Sequence, residues 1–315
     1  MSRPTLALCI PAYRAEEHLP RLLATARQQD PPFDEIIICV DASPDLTAEV
    51  ARSWGVRVLV NDQNLGCSGS KNRALEAATS DWVHFHDADD ELLPDFTAEA
   101  HHWMVMKDAP QVVIMGYEYR DFQTKALMVT GLVDDTELAA DPISFSIRNK
   151  LPNFGIYQRK ALLQIGGFDC DPSVLYNEDV AFHIKLAIKG FRFRASSKVT
   201  STNWRYGNSM SAANQVNCLK AHHSVMIQVA ASVGEKYPGE IAARLWAAAT
   251  GLAAHLEWQG ADSALNSARR LYPAVPAGQN PRFATVCRVI GPKLAFRVRE
   301  YAIRAFKPRL RQPSA

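Results

Sequence analysis

Short apolar runs alternate with amphipathic stretches over the first 110 residues. Thr5-Leu-Ala-Leu-Cys-Ile10 is apolar throughout and closed by Pro11, which predicts a buried strand and then a loop at Pro11-Ala12-Tyr13-Arg14. Leu19, Leu22, Leu23 and Ala26 fall at helical spacing, and Asp30-Pro31-Pro32 stops that helix. Glu35–Val40 predicts a second buried strand ending in the turn sequence Asp41-Ala42-Ser43-Pro44-Asp45. Helix is expected over Leu46–Trp54, strand over Val56–Val60, a polar loop over Asn61–Gly69 and helix over Ser70–Ala78. Trp82–His86 is the fourth strand, and Pro94–Lys107 the next helix.

This alternation with short connections predicts a doubly wound, mostly parallel α/β sheet with helices on both faces. Polar loops follow strands one, two and four, at the sheet edge where such folds hold ligands. The rhythm changes after Val112. Strands are expected over Val112–Tyr119, Leu151–Tyr157, Phe191–Phe193 and Val199–Trp204, with irregular chain over Asp121–Ala140. Lys160–Ile165 and Tyr176–Lys189 read as helices, closed by Gly166-Gly167 and Gly190. The boundaries expected are 1–210 for one α/β domain, with halves 1–110 and 111–210, and 211–315 for an Ala/Leu-rich helical extension broken at Pro273–Pro276. Pro308 to Ala315 is expected to be disordered.

The fourth strand ends in Asp87-Ala88-Asp89-Asp90, three carboxylates within four positions. Such carboxylates repel one another and are costly to desolvate, and a hard divalent cation, Mg²⁺ or Mn²⁺, removes that repulsion. The plainer alternative is an acidic turn with Asp90 capping the next helix. Composition adds little: 47% hydrophobic and 22% charged residues are ordinary for a globular chain. No apolar run reaches the ~18–20 residues of a membrane span. The N-terminus has no signal-peptide pattern, and six scattered cysteines without a C-x-x-C suggest reduced thiols. A cytoplasmic location is therefore expected.

Five segments, in order, resemble the family 2 glycosyltransferases. Pro11-Ala12-Tyr13-Arg14-Ala15-Glu16 is similar to the family's Pro-x-Tyr-Asn-x-Glu opening. Val40–Thr47 resembles the Asp-Asp-Gly-Ser-x-Asp segment, and Asn64-Leu65-Gly66 through Asn72 the Asn-x-Gly…Ala-Arg-Asn segment. Asp87-Ala88-Asp89 matches the DXD motif, and Gly166-Gly167-Phe168-Asp169 with Glu178-Asp179 resembles the acceptor-side GGFDE…ED pattern. The resemblance covers roughly residues 5 to 211. It implies a GT-A fold, Rossmann-like, and inverting transfer of a sugar from a nucleotide-diphosphate donor, UDP favoured, to an acceptor hydroxyl, in surface polysaccharide or glycoconjugate synthesis.

The same resemblance implies roles. Asp89, with Asp87, holds Mn²⁺ or Mg²⁺ against the diphosphate, or Asp87 faces the ribose. Asp41 accepts from the uracil imide; Pro11, Ala12 and Tyr13 wall the base; Glu16 and Ser43 support that pocket. Lys71 pairs with phosphate or with Asp41, or is a solvated lysine at a helix start. Asp179 is the general base, with Glu178 orienting the acceptor or supporting Asp179; otherwise the two are the acidic first turn of a helix. Arg205 and Ser209, in a segment similar to the late Arg-x-x-His-x-Ser-x-Ser element, contact the diphosphate. The chain departs from the pattern at Val40, Ala42, Lys71 and Asn208, where Asp, Gly, Arg and His are usual.

His84 and His86 share a strand face with Trp82 and are read as packing residues, the alternative being approach to the metal; Trp246 and Trp258 on later helices are read likewise, the alternative being an acceptor pocket. Gly66–Lys71 has the wrong spacing for a phosphate loop. From Arg282 onward there are nine Lys/Arg and one acidic residue, about +8, against about −6 for the rest. The tail interleaves these cations with apolar positions, which suits either a helix packed on protein or peripheral contact with the inner face of a membrane. The expected partners are a nucleotide-sugar donor and a saccharide or lipid-linked acceptor, with no nucleic acid. A non-catalytic nucleotide- or glycan-binding protein and a nucleotidyltransferase are the alternative classes.

Overall fold

The computed structural model describes residues 3–206 and 214–311. They form two compact units. The first holds the chain up to Ser146 with Lys150–Cys170 and Glu178–Ser209; the second holds Ile147–Asn149, Asp171–Asn177 and the chain from Met210.

The apolar runs become strands β1 (Leu6–Ala12), β2 (Glu35–Val40), β3 (Arg57–Val60) and β4 (Trp82–Phe85). Helices α1 (Leu19–Arg27), α2 (Thr47–Ser53), α3 (Gly66–Ala77) and α4 (Phe96–Met104) connect and follow them, with the short β5 (Glu91–Leu92) before α4. The remainder of the first unit contributes β6 (Val112–Asp121), β7 (Leu127–Gly131), α5 (Asp135–Ala140), α6 (Pro142–Arg148, whose last turn joins the second unit), β8 (Gly155–Gln158), α7 (Arg159–Gln164), α8 (Glu178–Ile188) and β9 (Phe193–Arg205).

The strands order as β3-β2-β1-β4-β8-β6-β9-β5, with β7 on β6. Pairing is parallel from β3 through β4 and between β6 and β9; β5, β7 and β8 run antiparallel to their neighbours. Alternation along β1 explains the two-sided burial. Leu6, Leu8 and Ile10 join one core with Leu19, Leu22, Leu23 and Phe96 from α1 and α4. Ala7 and Cys9 join the other, with Ala74, Leu75, Leu162 and Phe182 from α3, α7 and α8.

Several expectations are corrected. β1 runs through Pro11 to Ala12. Its pairing with β4 stops at Cys9, so Pro11 has a ladder neighbour on one side only and its missing N–H costs nothing there. The expected loop up to Gly69 is already helix, because α3 starts at Gly66, whose N–H the Asn64 side chain accepts at 3.1 Å. Asp121–Ala140 holds a strand and a helix. The two late strand candidates are one strand of 13 residues, carried across its polar middle by pairing with β6. Pro308–Arg311 is a 3-10 turn, held where the Arg311 guanidinium pairs with buried Glu300 at 2.7 Å.

The second unit is helical: α9 (Gln215–Val233), α10 (Pro238–Ala254), α11 (Trp258–Leu271), α12 (Pro281–Ile290) and α13 (Pro292–Phe306). Trp246 is buried against Phe296 with ring centres 5.5 Å apart, and Arg297 lies over Trp258, so both tryptophans serve helix packing.

Candidate active site

The carboxyl ends of β1, β2 and β4 deliver three loops to one edge of the sheet. The first two are tied together. Arg14 N donates to Ser43 Oγ at 2.7 Å, Ala15 N to Thr47 Oγ1 at 2.8 Å, and Leu46 N to the Glu16 carboxylate at 2.8 Å. Ser43 and Glu16 thus brace this junction. Tyr13 is about half exposed, with the Arg14 guanidinium 5.6 Å from its ring centre. Arg14 and Ala42 both take left-handed backbone (φ 50° and 51°). Ala42 stands where the resembling motif has Gly, and the backbone it adopts is the one glycine enters without strain.

Asp41 is buried, and its Oδ1 accepts from Asn61 Nδ2 and Leu65 N, both at 2.7 Å. Asn61 is a positioning residue that sequence reasoning missed; it also donates to Ser70 and accepts from Arg73. Lys71 does not pair with Asp41. It is not a solvated lysine either, because the early start of α3 places it in the second turn, fully buried. Its Nζ lies 3.5 Å from Asp87 Oδ1 and 3.5 Å from Asp179 Oδ1, and 5.2 Å from the Phe168 ring centre. One ammonium therefore joins the carboxylate after β4 to the carboxylate at the start of α8. Burial alone would lower the Lys71 pKa, but Asp87 and Asp179 hold it well above the ordinary value.

Asp179 has one oxygen, Oδ1, sealed from solvent, while the side chain as a whole is a third exposed. Burial raises its pKa, Lys71 opposes, and Glu178 and Asp87 add to the rise, leaving it at about 7. Glu178 Oε2 is also buried, without a hydrogen-bond partner among the described residues. Behind them, His183 Nδ1 lies 2.8 Å from the Asp179 carbonyl and His183 Nε2 lies 2.9 Å from Tyr157 Oη. A carbonyl can only accept, so Nδ1 carries the proton. Burial pushes His183 down to about 4, and Nε2 accepts from the Tyr157 hydroxyl.

Asp89 is partly buried, and desolvation with neighbouring Asp87 raises its pKa. Asp90 is no helix cap. It is buried and accepts from Asn203 Nδ2 at 2.6 Å and Trp204 N at 3.0 Å, tying this loop to β9. Arg21 on α1, which sequence reasoning missed, clamps the same loop: it donates to the Asp89 carbonyl at 2.6 Å and to Tyr206 Oη at 2.8 Å, and pairs with Glu91. Its only sequence signal is a cation flanking the apolar stripe of α1. Arg205 lies 4.0 Å over the Tyr119 ring at the end of β9. Ser209 lies outside the described residues.

His84 and His86 are buried below this loop. The Gly155 carbonyl accepts from His84 Nδ1 at 2.8 Å, and His84 Nε2 lies 2.9 Å from His86 Nδ1. Burial keeps both rings neutral, so His86 donates to His84. The His86 Nε2 lone pair has no partner among the described residues.

The acceptor-side turn is locked to α3. Asn72 accepts from Phe168 N at 2.8 Å and donates to Phe168 O at 3.0 Å. Gly166 and Gly167 both have positive φ, and a Cβ on Gly167 would lie 2.2 Å from Asn72 Oδ1. Gly167→Ala is expected to cost roughly 2–4 kcal/mol, from backbone strain plus the clash. Denaturant unfolding of the two proteins measures this.

The metal question turns on charge. Asp87, Glu178 and Asp179 share one cation, Lys71, and Arg21, the guanidinium near Asp89, is already paired with Glu91, which leaves the carboxylates short of positive charge. No group of three His/Cys/Asp/Glu ligands is gathered among the described residues. These donors fit a divalent cation that completes its shell with substrate oxygens, and not a closed protein cage.

The family model described as glycosyl transferase family 2 matches residues 7–168, just over half of the chain. The putative glycosyltransferase EpsH of Bacillus subtilis is 28% identical over 145 residues, covering 44% of this chain and 39% of EpsH, so the match spans about two fifths of that relative. Among solved structures, residues 1–349 of Staphylococcus aureus TarS in complex with UDP-GlcNAc superpose with TM-score 0.73 at 19% identity, covering 96% of this chain and 92% of that one. The mannosyltransferase PcManGT of Pyrobaculum calidifontis, in complex with GDP-Man and Mn²⁺, gives TM-score 0.60 at 19% identity over 96% and 84% of the two chains. These similarities establish the GT-A architecture of the sheet and its helices.

Proposed function

We infer the reaction from one premise: the chain belongs to glycosyl transferase family 2 and is a glycosyltransferase. It moves a sugar from a UDP-sugar to an acceptor hydroxyl with inversion, and its product is a surface polysaccharide or glycoconjugate. The observation that carries this reading is the Lys71 ammonium, 3.5 Å from both Asp87 and Asp179. It supports reading Asp87 as a donor-side and Asp179 as an acceptor-side carboxylate of one reacting centre.

In this reading Tyr13 and the buried Asp41 receive the base, on loops pinned by Ser43, Glu16 and Asn61. Asp87, beside Lys71, and Asp89, whose carbonyl Arg21 holds, would bind Mn²⁺ or Mg²⁺ at the diphosphate. When bound, that cation neutralises charge developing on the leaving nucleotide. Asp179 takes the proton from the acceptor hydroxyl through the exposed part of its carboxylate, and Glu178 orients the acceptor. Lys71 keeps Asp179 ionisable despite its burial. The TarS complex with UDP-GlcNAc and the PcManGT complex with GDP-Man and Mn²⁺ support a nucleotide-sugar donor and a cation. Arg205, with Ser209, is assigned to the diphosphate from the motif alone.

The test is release of UDP from a panel of UDP-sugars as pH is varied. A base must be deprotonated, so kcat/KM should rise through a single ionisation centred at about pH 7. A profile flat from pH 5 to 8 would remove Asp179 from the role of base.

A further inference from the structure

Helix α13 has two apolar faces. Ala295 and Phe296 point into the second unit, where Phe296 packs on Trp246 and Phe283. Leu294, Val298 and Tyr301 recur at i, i+4 and i+7 on a different face and are exposed, Tyr301 by 80%. Helix α12 repeats the pattern, with Ala284 and Cys287 inward and Val286, Val289 and Ile290 outward, Val289 by 77%. An open groove of about 420 Å³ between the two helices is lined by Val286 and Val298 together with Arg282 and Arg299, so one outward apolar position of each helix shares a surface with cations. Phe306, at the end of α13, is 84% exposed. An apolar surface of this kind is not accounted for by folding.

Its charge is one-sided. Arg282, Arg288, Lys307 and Arg309 are exposed and form no ion pair among the described residues, while Lys293 is exposed near Asp262, which Arg297 holds. Glu300, the one acidic residue from Arg282 to the end of the chain, is buried and already held by Arg299 and Arg311. A second copy docking here about a twofold axis would set these cations against their own equivalents. Anionic headgroups would instead neutralise them while the apolar side chains enter the acyl boundary. No described helix is long and apolar enough to cross a bilayer, so contact would be in the plane of the interface.

We propose that the outward face of α12 and α13 docks on an anionic lipid surface. This is independent of the sugar-transfer reading. The full chain is sedimented with vesicles of phosphatidylcholine alone and of phosphatidylcholine with about a third phosphatidylglycerol. Binding is expected only to the anionic vesicles and should fade as salt rises. Arg288→Gln with Lys307→Gln should weaken it roughly 25-fold, about five-fold per charge. Val289→Ser with Tyr301→Ser keeps every charge and changes two side chains that contribute little to the fold; it should also abolish sedimentation. Failure of the unaltered chain to sediment with anionic vesicles would overturn the proposal. So would equal binding to both compositions, or a dimer in ultracentrifugation that the Val289→Ser/Tyr301→Ser protein loses.

Discussion

Asp179→Asn is expected to lower kcat by ~10²–10⁴-fold while leaving the affinity for the nucleotide nearly unchanged. Asp179 sits in the first turn of α8, its Oδ1 against Lys71 and the rest of its carboxylate open. Asparagine keeps the shape but cannot take a proton from an acceptor hydroxyl. Donor contacts, assigned to Tyr13, Asp41 and Asp87, are untouched by the change. Steady-state kinetics with nucleotide affinity measured separately distinguishes the cases. An equal loss in both would make Asp179 a structural partner of Lys71 and nothing more.

Lys71→Met should be nearly as severe, for an electrostatic reason. The ammonium is the cation that opposes burial of Asp179, so its removal pushes that carboxylate further up from about 7. At neutral pH the base is then mostly protonated, and kcat/KM should fall at least ~10²-fold, recovering in part as pH is raised. Stability follows the same sign. A folded-state pKa raised above its unfolded value means the folded protein holds protons that the unfolded chain releases, so stability is lost as pH rises through the folded pKa. The variant should therefore match the parent near pH 5 and be weaker near pH 8. The carboxylates are a third to nearly half exposed, so solvent screening limits the loss to about 1–3 kcal/mol, below that of a fully buried pair. Urea denaturation at the two pH values measures it. Equal destabilisation at both would point to packing against Phe168 instead.

The apolar runs made most of the sheet legible, because a strand buried on both faces needs an unbroken run of Ile, Val, Leu and Cys, as in β2. What escaped reading were contacts made at a distance. Lys71 follows a stretch with two glycines that reads as loop and so falls at an expected helix start, yet the Asn64 side chain starts α3 early and Lys71 is buried in its second turn. Nothing local to residue 71 announces a partner at 179. Arg21 and Asn61 escaped for the same reason, since each acts on a loop that another strand delivers. The two-residue β5 is too short to carry a pattern and exists through pairing with β9. The motif segments fared differently. Asn72 and Gly167 meet in space, so the third and fifth resembling segments are two halves of one contact.

The central claim is a cation-assisted nucleotide-sugar site at Asp87 and Asp89. Calorimetric titration of the full chain with UDP, GDP, TDP and CMP, with and without Mn²⁺, tests it most directly. The expected result is UDP binding that strengthens with Mn²⁺ and loses that dependence in Asp89→Asn. Binding of none of the four nucleotides, with or without Mn²⁺, would contradict the account.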